Sequence, residues 1–218
     1  MEVRPHDLLR LESPDAILAA APSPPAWVAA ALAEAPWVVV RRARAGRGLI
    51  PVGVRGRARS QRYAACVVER SVLERVAPEA IAAARKWETA ARRHAAPALS
   101  ALAVVAGRFD ALSLVWGPTG GVGFELTTGC PVLGPDSDVD VLLRTGNGPG
   151  EAVAAAVAAA IDGLPARFDV QVETKLGAVA LVEIARSSLQ VLVRTADGPR
   201  LLDRDLFAEE PFAMNATA

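Results

Sequence analysis

The stretch from Trp116 to Arg144, WGPTGGVGFELTTGCPVLGPDSDVDVLLR, constrains the fold more than any other part of the chain. Leu112 to Trp116 and Val139 to Leu143 are apolar runs of strand length, and between them lie Gly117, Gly120, Gly121 and Gly123, then a short helical piece around Phe124 to Thr128. The predicted order is strand, glycine turn, helix, loop, strand. Side chains at i and i+2 of a strand share a face, so Asp138 and Asp140 are expected to project together, about 7 Å apart along the chain. Two aligned carboxylates repel each other, and a divalent cation removes the conflict. Mg²⁺ suits such a site, because it takes one or two carboxylates and lets substrate phosphates complete its octahedron. Backbone amides of Gly120 and Gly121, with Thr119 and Ser137 nearby, would cradle phosphate at the positive end of the following helix.

Composition limits the alternatives. The chain has 218 residues, 52% of them hydrophobic, and a formal net charge of zero. That balance is uneven along the chain: residues 1–107 carry 16 basic and 9 acidic side chains, against 8 and 15 in residues 108–218. A basic half facing an acidic half is a frame that a metal–polyphosphate can bridge. Cys66 and Cys130 stand apart, the N-terminal MEVRPHDLLR has no apolar core of a leader, and Ala152 to Ile161 is too short to span a bilayer. A cytoplasmic protein without a membrane partner is expected.

The basic half is concentrated. From Arg41 to Arg62 there are eight arginines and no acid. Val38 to Arg42, Leu49 to Val54 and Arg55 to Tyr63 read as strands about a Gly46-Gly48 turn. On that reading Arg55, Arg57 and Arg59 line one face, and with Arg41, Arg42 and Arg62 they form a polyphosphate clamp. The plainer reading is a solvated basic edge. His6 is either a polar residue near a terminus or part of the site. Ala26 to Ala35 should be helical; a helix from Pro78 through Ala80 to Ala96, carrying His94 on its surface, should end or kink at Pro97 and resume to Ala106.

Beyond the central stretch, Asn147 and Pro149 read as the cap and first turn of an Ala-rich helix from Glu151 to Leu164. Arg167 to Glu173 reads as a strand with Asp169, Gln171 and Glu173 on one face. Ala178 to Ile184 and Leu189 to Arg194 read as two strands joined by a Ser187-Ser188 turn, with Gly198-Pro199 ending the strands and a loosely held tail from Glu209. The boundary between an N-terminal basic substrate-binding unit, 1–77, and a catalytic unit, 78–218, is placed near Pro78.

Gly120-Gly121 followed by Ser137-Asp138-Val139-Asp140 resembles the signature of the polymerase-β-like nucleotidyltransferases. Read with RPHDLL and IPVGVRGRARSQRYAA, the chain resembles the malonate decarboxylase holo-acyl-carrier-protein synthases, or phosphoribosyl-dephospho-CoA transferases. The resemblance implies an α+β fold: a nucleotidyltransferase-like mixed sheet flanked by helices, with a smaller N-terminal α/β domain. It implies Mg²⁺ held by Asp138, Asp140 and a third carboxylate from a neighbouring strand, Asp169 before Glu173, and a site role for His6. It further implies triphosphoribosyl-dephospho-CoA as donor and a serine of the malonate decarboxylase acyl-carrier subunit as acceptor. Gly121 stands where the wider superfamily carries Ser. No GxxxxGK[ST], GxGxxG or zinc cluster is present. Another nucleotidyltransferase, acting on a small molecule or a different protein, and a non-catalytic RNA- or polyanion-binding module are the other readings; aromatic residues for base stacking are scarce near the arginines, so no nucleic-acid partner is expected.

Overall fold

The computed structural model describes residues 2–19, 24–146, 148–185 and 189–207. The chain runs β1 (Leu8–Leu11), β2 (Ile17–Ala19), α1 (Ala26–Glu34), β3 (Trp37–Val40), β4 (Leu49–Arg55), β5 (Arg62–Val68), β6 (Val72–Val76), α2 (Pro78–Ala84), α3 (Pro97–Ala111), β7 (Trp116–Pro118), α4 (Gly120–Thr128), β8 (Val139–Arg144), α5 (Gly150–Ile161), β9 (Phe168–Thr174), β10 (Gly177–Ala180), α6 (Leu181–Ala185), β11 (Gln190–Thr195) and β12 (Gly198–Asp203). This is the expected α+β class.

The N-terminal sheet has six strands in the order β2-β5-β4-β3-β1-β6, all antiparallel. Strict alternation decides its faces: Ile50, Val52 and Val54 of β4 are buried while their neighbours are half-exposed. Val28 and Leu32 of α1 close this core against Leu9, Leu11, Val38 and Val67. The C-terminal sheet also has six strands, ordered β12-β11-β10-β9-β8-β7. It is mixed, because β8 and β9 run parallel; such a pair needs a long crossover, which α5 supplies. Its core joins β8 and β9 to α3, and Trp116 packs edge-on against Phe109 at 5.3 Å and tilted against Trp87 at 6.0 Å.

Several local expectations are corrected. Leu112 to Trp116 is not a strand: α3 continues to Ala111 so that Phe109 reaches the core, Ser113 turns the chain at φ 53°, and only Trp116 enters β7. The glycines do not form a separate turn before a helix; Gly120, Gly121 and Gly123 are the first turn of α4. Arg55 to Tyr63 is not a continuous strand. Gly56 N–H donates to Gln61 O at 3.0 Å and Gln61 Oε1 accepts from Ala58 N–H, so the segment is a hairpin turn and the arginines share no strand face. Ala80 to Ala96 breaks at Arg85, which is left-handed at φ 47°, because the turn that follows buries Trp87 completely; His94 is exposed in a turn. The strand expected to Ile184 stops at Ala180, and α6 then buries Leu181 and Ile184 one turn apart. Gly198-Pro199 opens β12 rather than ending the sheet. Asn147, the Ser187-Ser188 turn and the tail from Glu209 lie outside the described residues. Among the described residues no helix is long and apolar enough to cross a membrane.

Candidate active site

The two sheets face each other across a cavity of about 810 Å³. Its floor comes from the parallel pair, in which Asp140 of β8 stands in register with Asp169 of β9. Burial first, and then the charge of Asp169, push the Asp140 carboxyl above its ordinary range, against the pull of Arg62 and Arg55. The start of α4 is tied to this floor, because Thr119 N–H donates to Asp140 O at 2.8 Å. Gly120 sits at φ 55°, and any side chain there would strike the Asp140 carboxylate. Thr119 and Gly120 therefore bring the positive end of a nine-residue helix to the cavity wall beside two carboxylates.

The aspartates of the SDxD segment separate in three dimensions. Asp138 precedes β8 and its carboxylate turns to two guanidiniums: Arg167 donates from Nε to Oδ1 at 3.0 Å and from Nη2 to Oδ2 at 2.6 Å, and Arg59 Nη2 donates to Oδ2 at 2.9 Å. The hydrogen bonds from Arg167 hold the Asp138 carboxyl below its usual range. Asp138 is not in the cavity lining, and Ser137 is used in its own loop, where its Oγ accepts from Gly134 N–H at 2.9 Å. Register also separates the two candidates for a third carboxylate: Asp169 is level with Asp140, whereas Glu173 is level with Arg144 and is held by Arg42. Among the described residues no three His, Cys, Asp or Glu side chains converge as a metal cluster. The donor set that fits Mg²⁺ is thus the Asp140–Asp169 pair, two hard oxygen groups side by side, with Asp138 one residue beyond the strand.

Seven of the eight arginines fall into two groups. Arg42 pairs with Glu173, Arg44 with Asp197, Arg57 with Glu34 and Arg59 with Asp138. These acids all lie outside the stretch, three of them far along the chain, which is why the stretch looked unbalanced. Arg41, Arg55 and Arg62 line the cavity, as does the paired Arg42. Arg55 Nε is buried and, among the described residues, has no hydrogen-bond partner; burial and then the neighbouring Arg62 charge lower its pKa. Its Nη2 lies 3.1 Å from where a Cβ at Gly121 would stand. A guanidinium therefore fills the space over α4 that a side chain at 121 would need.

His6 is held in the left-handed region at φ 74° by the Arg4–Asp7 turn, with its N–H on Val40 O at 2.9 Å. Arg194 Nη1 can only donate, at 2.9 Å, so Gln171 turns its carbonyl oxygen to Arg194 and its amide group to His6 Nε2 at 2.8 Å. The imidazole is neutral, with its proton on Nδ1; burial, then Arg42, lower its pKa to about 4. Sequence reasoning missed Arg167, Arg194 and the contribution of β11 and β12, including Leu192 and Pro199. Gln171 was signalled by its place on the Asp169 face. Buried Asp7, which accepts from Arg75 Nε at 2.7 Å and fixes the turn under His6, was signalled only by its position in RPHDLL.

Comparison with known proteins gives matches over nearly the whole chain. The family model described as phosphoribosyl-dephospho-CoA transferase MdcG N-terminal domain matches residues 4–78, and the corresponding C-terminal domain matches residues 81–205. A phosphoribosyl-dephospho-CoA transferase of Pseudomonas putida (strain GB-1) is 41% identical over 209 residues, covering 95% of this chain and 97% of that protein. One of Azotobacter vinelandii (strain DJ) is 42% identical over 203 residues, covering 91% and 92%. One of Pseudomonas aeruginosa (strain PAO1) is 42% identical over 199 residues, covering 91% of each. No solved structure gives a significant match.

Proposed function

On the premise that the chain belongs to the phosphoribosyl-dephospho-CoA transferase family, and is therefore a transferase, we propose that it moves 2′-(5″-phosphoribosyl)-3′-dephospho-CoA from its triphosphate precursor to a serine of the malonate decarboxylase acyl-carrier protein. The serine Oγ–P bond forms at the α-phosphorus, the bond to diphosphate breaks, and the hydroxyl proton leaves. The observation that carries this reading is the juxtaposition of Asp140 and Asp169 with Arg41, Arg55, Arg62 and the start of α4 in one cavity.

Arg41, Arg55 and Arg62 are suited to hold the phosphate oxygens, since planar guanidiniums meet such oxygens two at a time. The backbone of Thr119 and Gly120 bounds the same space, with no side chain at 120 to keep a phosphate away. Asp140 and Asp169, joined by Asp138, would hold Mg²⁺, which when bound acidifies an attacking hydroxyl and neutralises charge on the departing diphosphate. His6 and Gln171 offer neutral hydrogen-bonding groups beside the carboxylates, so they add no competing charge.

Mass spectrometry of apo-carrier protein after incubation with this chain, Mg²⁺ and the triphosphoribosyl donor tests the proposal. The carrier should gain the mass of the phosphoribosyl-dephospho-CoA group with equimolar release of diphosphate, and a carrier with its acceptor serine replaced by alanine should gain nothing. An unmodified carrier with intact donor, under conditions where the chain is folded, would refute it.

A further inference from the structure

Arg167 is absent from the phosphate-binding set above, yet it sits at the edge of the carboxylate floor. Its backbone oxygen accepts from Val139 N–H at 2.8 Å, so the residue before β9 is tied to the first residue of β8 while its guanidinium reaches Asp138 through two hydrogen bonds. Arg59 approaches the same carboxylate from the β4–β5 hairpin of the opposite sheet. Two cations on one anion leave an excess positive charge there, and the charges of Asp169 and Asp140 are felt at Arg167. Both arginine side chains are 74% exposed, against 15% for Asp138. Exposed ion pairs are individually weak, and the fork that grips a carboxylate grips a phosphate equally well.

We propose that Arg167, with Arg59, is a further polyphosphate ligand of this site, and that phosphate oxygens and Asp138 compete for these two guanidiniums. When the arginines turn to phosphate, Asp138 is released to stand with Asp140 and Asp169; when they hold Asp138, that carboxylate is withheld from a cation. The inference rests on the site reading given above. It makes cation loading depend on the phosphate-bearing substrate through two residues that bracket the floor.

The opposing reading is a permanent tie that merely anchors the loop before β8. Separate titrations of the full chain with Mn²⁺ alone, standing in for Mg²⁺, and with inorganic diphosphate in the presence of chelator distinguish the two. For Arg167→Ala the Mn²⁺ Kd should fall roughly two- to fivefold, the scale of an exposed ion pair, while the diphosphate Kd should rise about tenfold, the scale of a charge-assisted hydrogen bond. Arg59→Ala should show the same opposite signs, more weakly, and serves if Arg167→Ala lowers the melting temperature enough to confuse the result. Movement of both constants in one direction, or of neither, in a variant that melts like the parent would overturn the assignment. A parent chain that binds neither Mn²⁺ nor diphosphate would instead overturn the site reading on which it rests.

Discussion

The N-terminal sheet is antiparallel throughout and supplies the cavity with cations from strand ends and a hairpin, whereas the C-terminal sheet, through its parallel β8–β9 pair, supplies two carboxylates side by side. The difference is instructive. Like charges level with each other on neighbouring strands are unfavourable, and burial first, with the Asp169 charge after it, raises the pKa of Asp140. In the N-terminal sheet the corresponding repulsion is dispersed: Arg42, Arg44, Arg57 and Arg59 are neutralised by acids, and only some arginines remain facing the cavity. Strain is concentrated where a cation can relieve it and diluted where charge only has to be steered.

The largest expected effect breaks the carboxylate side. Asp140→Asn should cost transfer activity roughly a thousandfold, the scale on which removal of a charge-stabilising group acts, yet melt higher than the parent at neutral pH. The sign follows from the raised pKa: the ionised carboxyl is disfavoured by the fold, so it subtracts stability above that pKa, and the penalty fades as pH falls toward the ordinary carboxylate range. A folded Asp140→Asn protein with parental turnover would remove the C-terminal sheet from the chemistry.

Gly121→Ser probes the seam between the sheets. Its Cβ would arrive 3.1 Å from both Arg55 Nη2 and Leu133 Cδ2, and a displaced Arg55 should weaken diphosphate binding about tenfold in calorimetry, the worth of a charge-assisted contact. Unchanged affinity would mean that Arg55 does not contact the phosphates.

His6 gives a smaller, pH-dependent effect. With its pKa lowered from 6.5 to about 4, the fold binds only the neutral ring, so stability is full above the ordinary value and is lost as pH falls between the two. Between pH 7 and pH 5 the loss should be about 2 kcal/mol in urea unfolding, and His6→Gln should flatten that dependence. An equal slope in both proteins would place the acid sensitivity elsewhere.

The ion pairs separate into one of similar size and one near zero. Arg42 and Glu173 expose only 16% and 15% of their side chains, so Arg42→Ala should cost roughly 2 kcal/mol by leaving a half-buried carboxylate unpaired. Arg57 pairs with Glu34 in the open, and Arg57→Ala should leave the thermal melt unchanged. Equal melting temperatures for the two variants would show that the sheets are not tied through Arg42.

Much of the C-terminal sheet was legible because its signals are local. FDVQVE alternates cleanly into β9, and VDVLL is too apolar for anything but a buried strand. The arginine stretch misled for the converse reason: a regular Arg-x-Arg-x-Arg spacing mimics a strand face, but Gly56 and the Gln61 side chain close a hairpin that periodicity cannot reveal. The helix expected through Ala96 failed because helix propensity is weak beside the burial of Trp87. His6 was recognisable as a residue of interest, but its strained backbone and its contact with Gln171, 165 positions away, were not.

By itself the sequence determined the residue types offered for the candidate site, most helices, and the strands β3, β4, β8, β9, β10 and β11, since hydrophobic period and glycine placement are written in neighbouring residues. Only the tertiary structure decided which charges are used up in pairs and which remain for a ligand. Asp138 and Asp140 are two residues apart, yet one is gripped by arginines from both halves of the chain and the other faces Asp169 across a parallel register. Electrostatic interaction acts through distance in space, and 79 positions of sequence separate Arg59 from the carboxylate it holds.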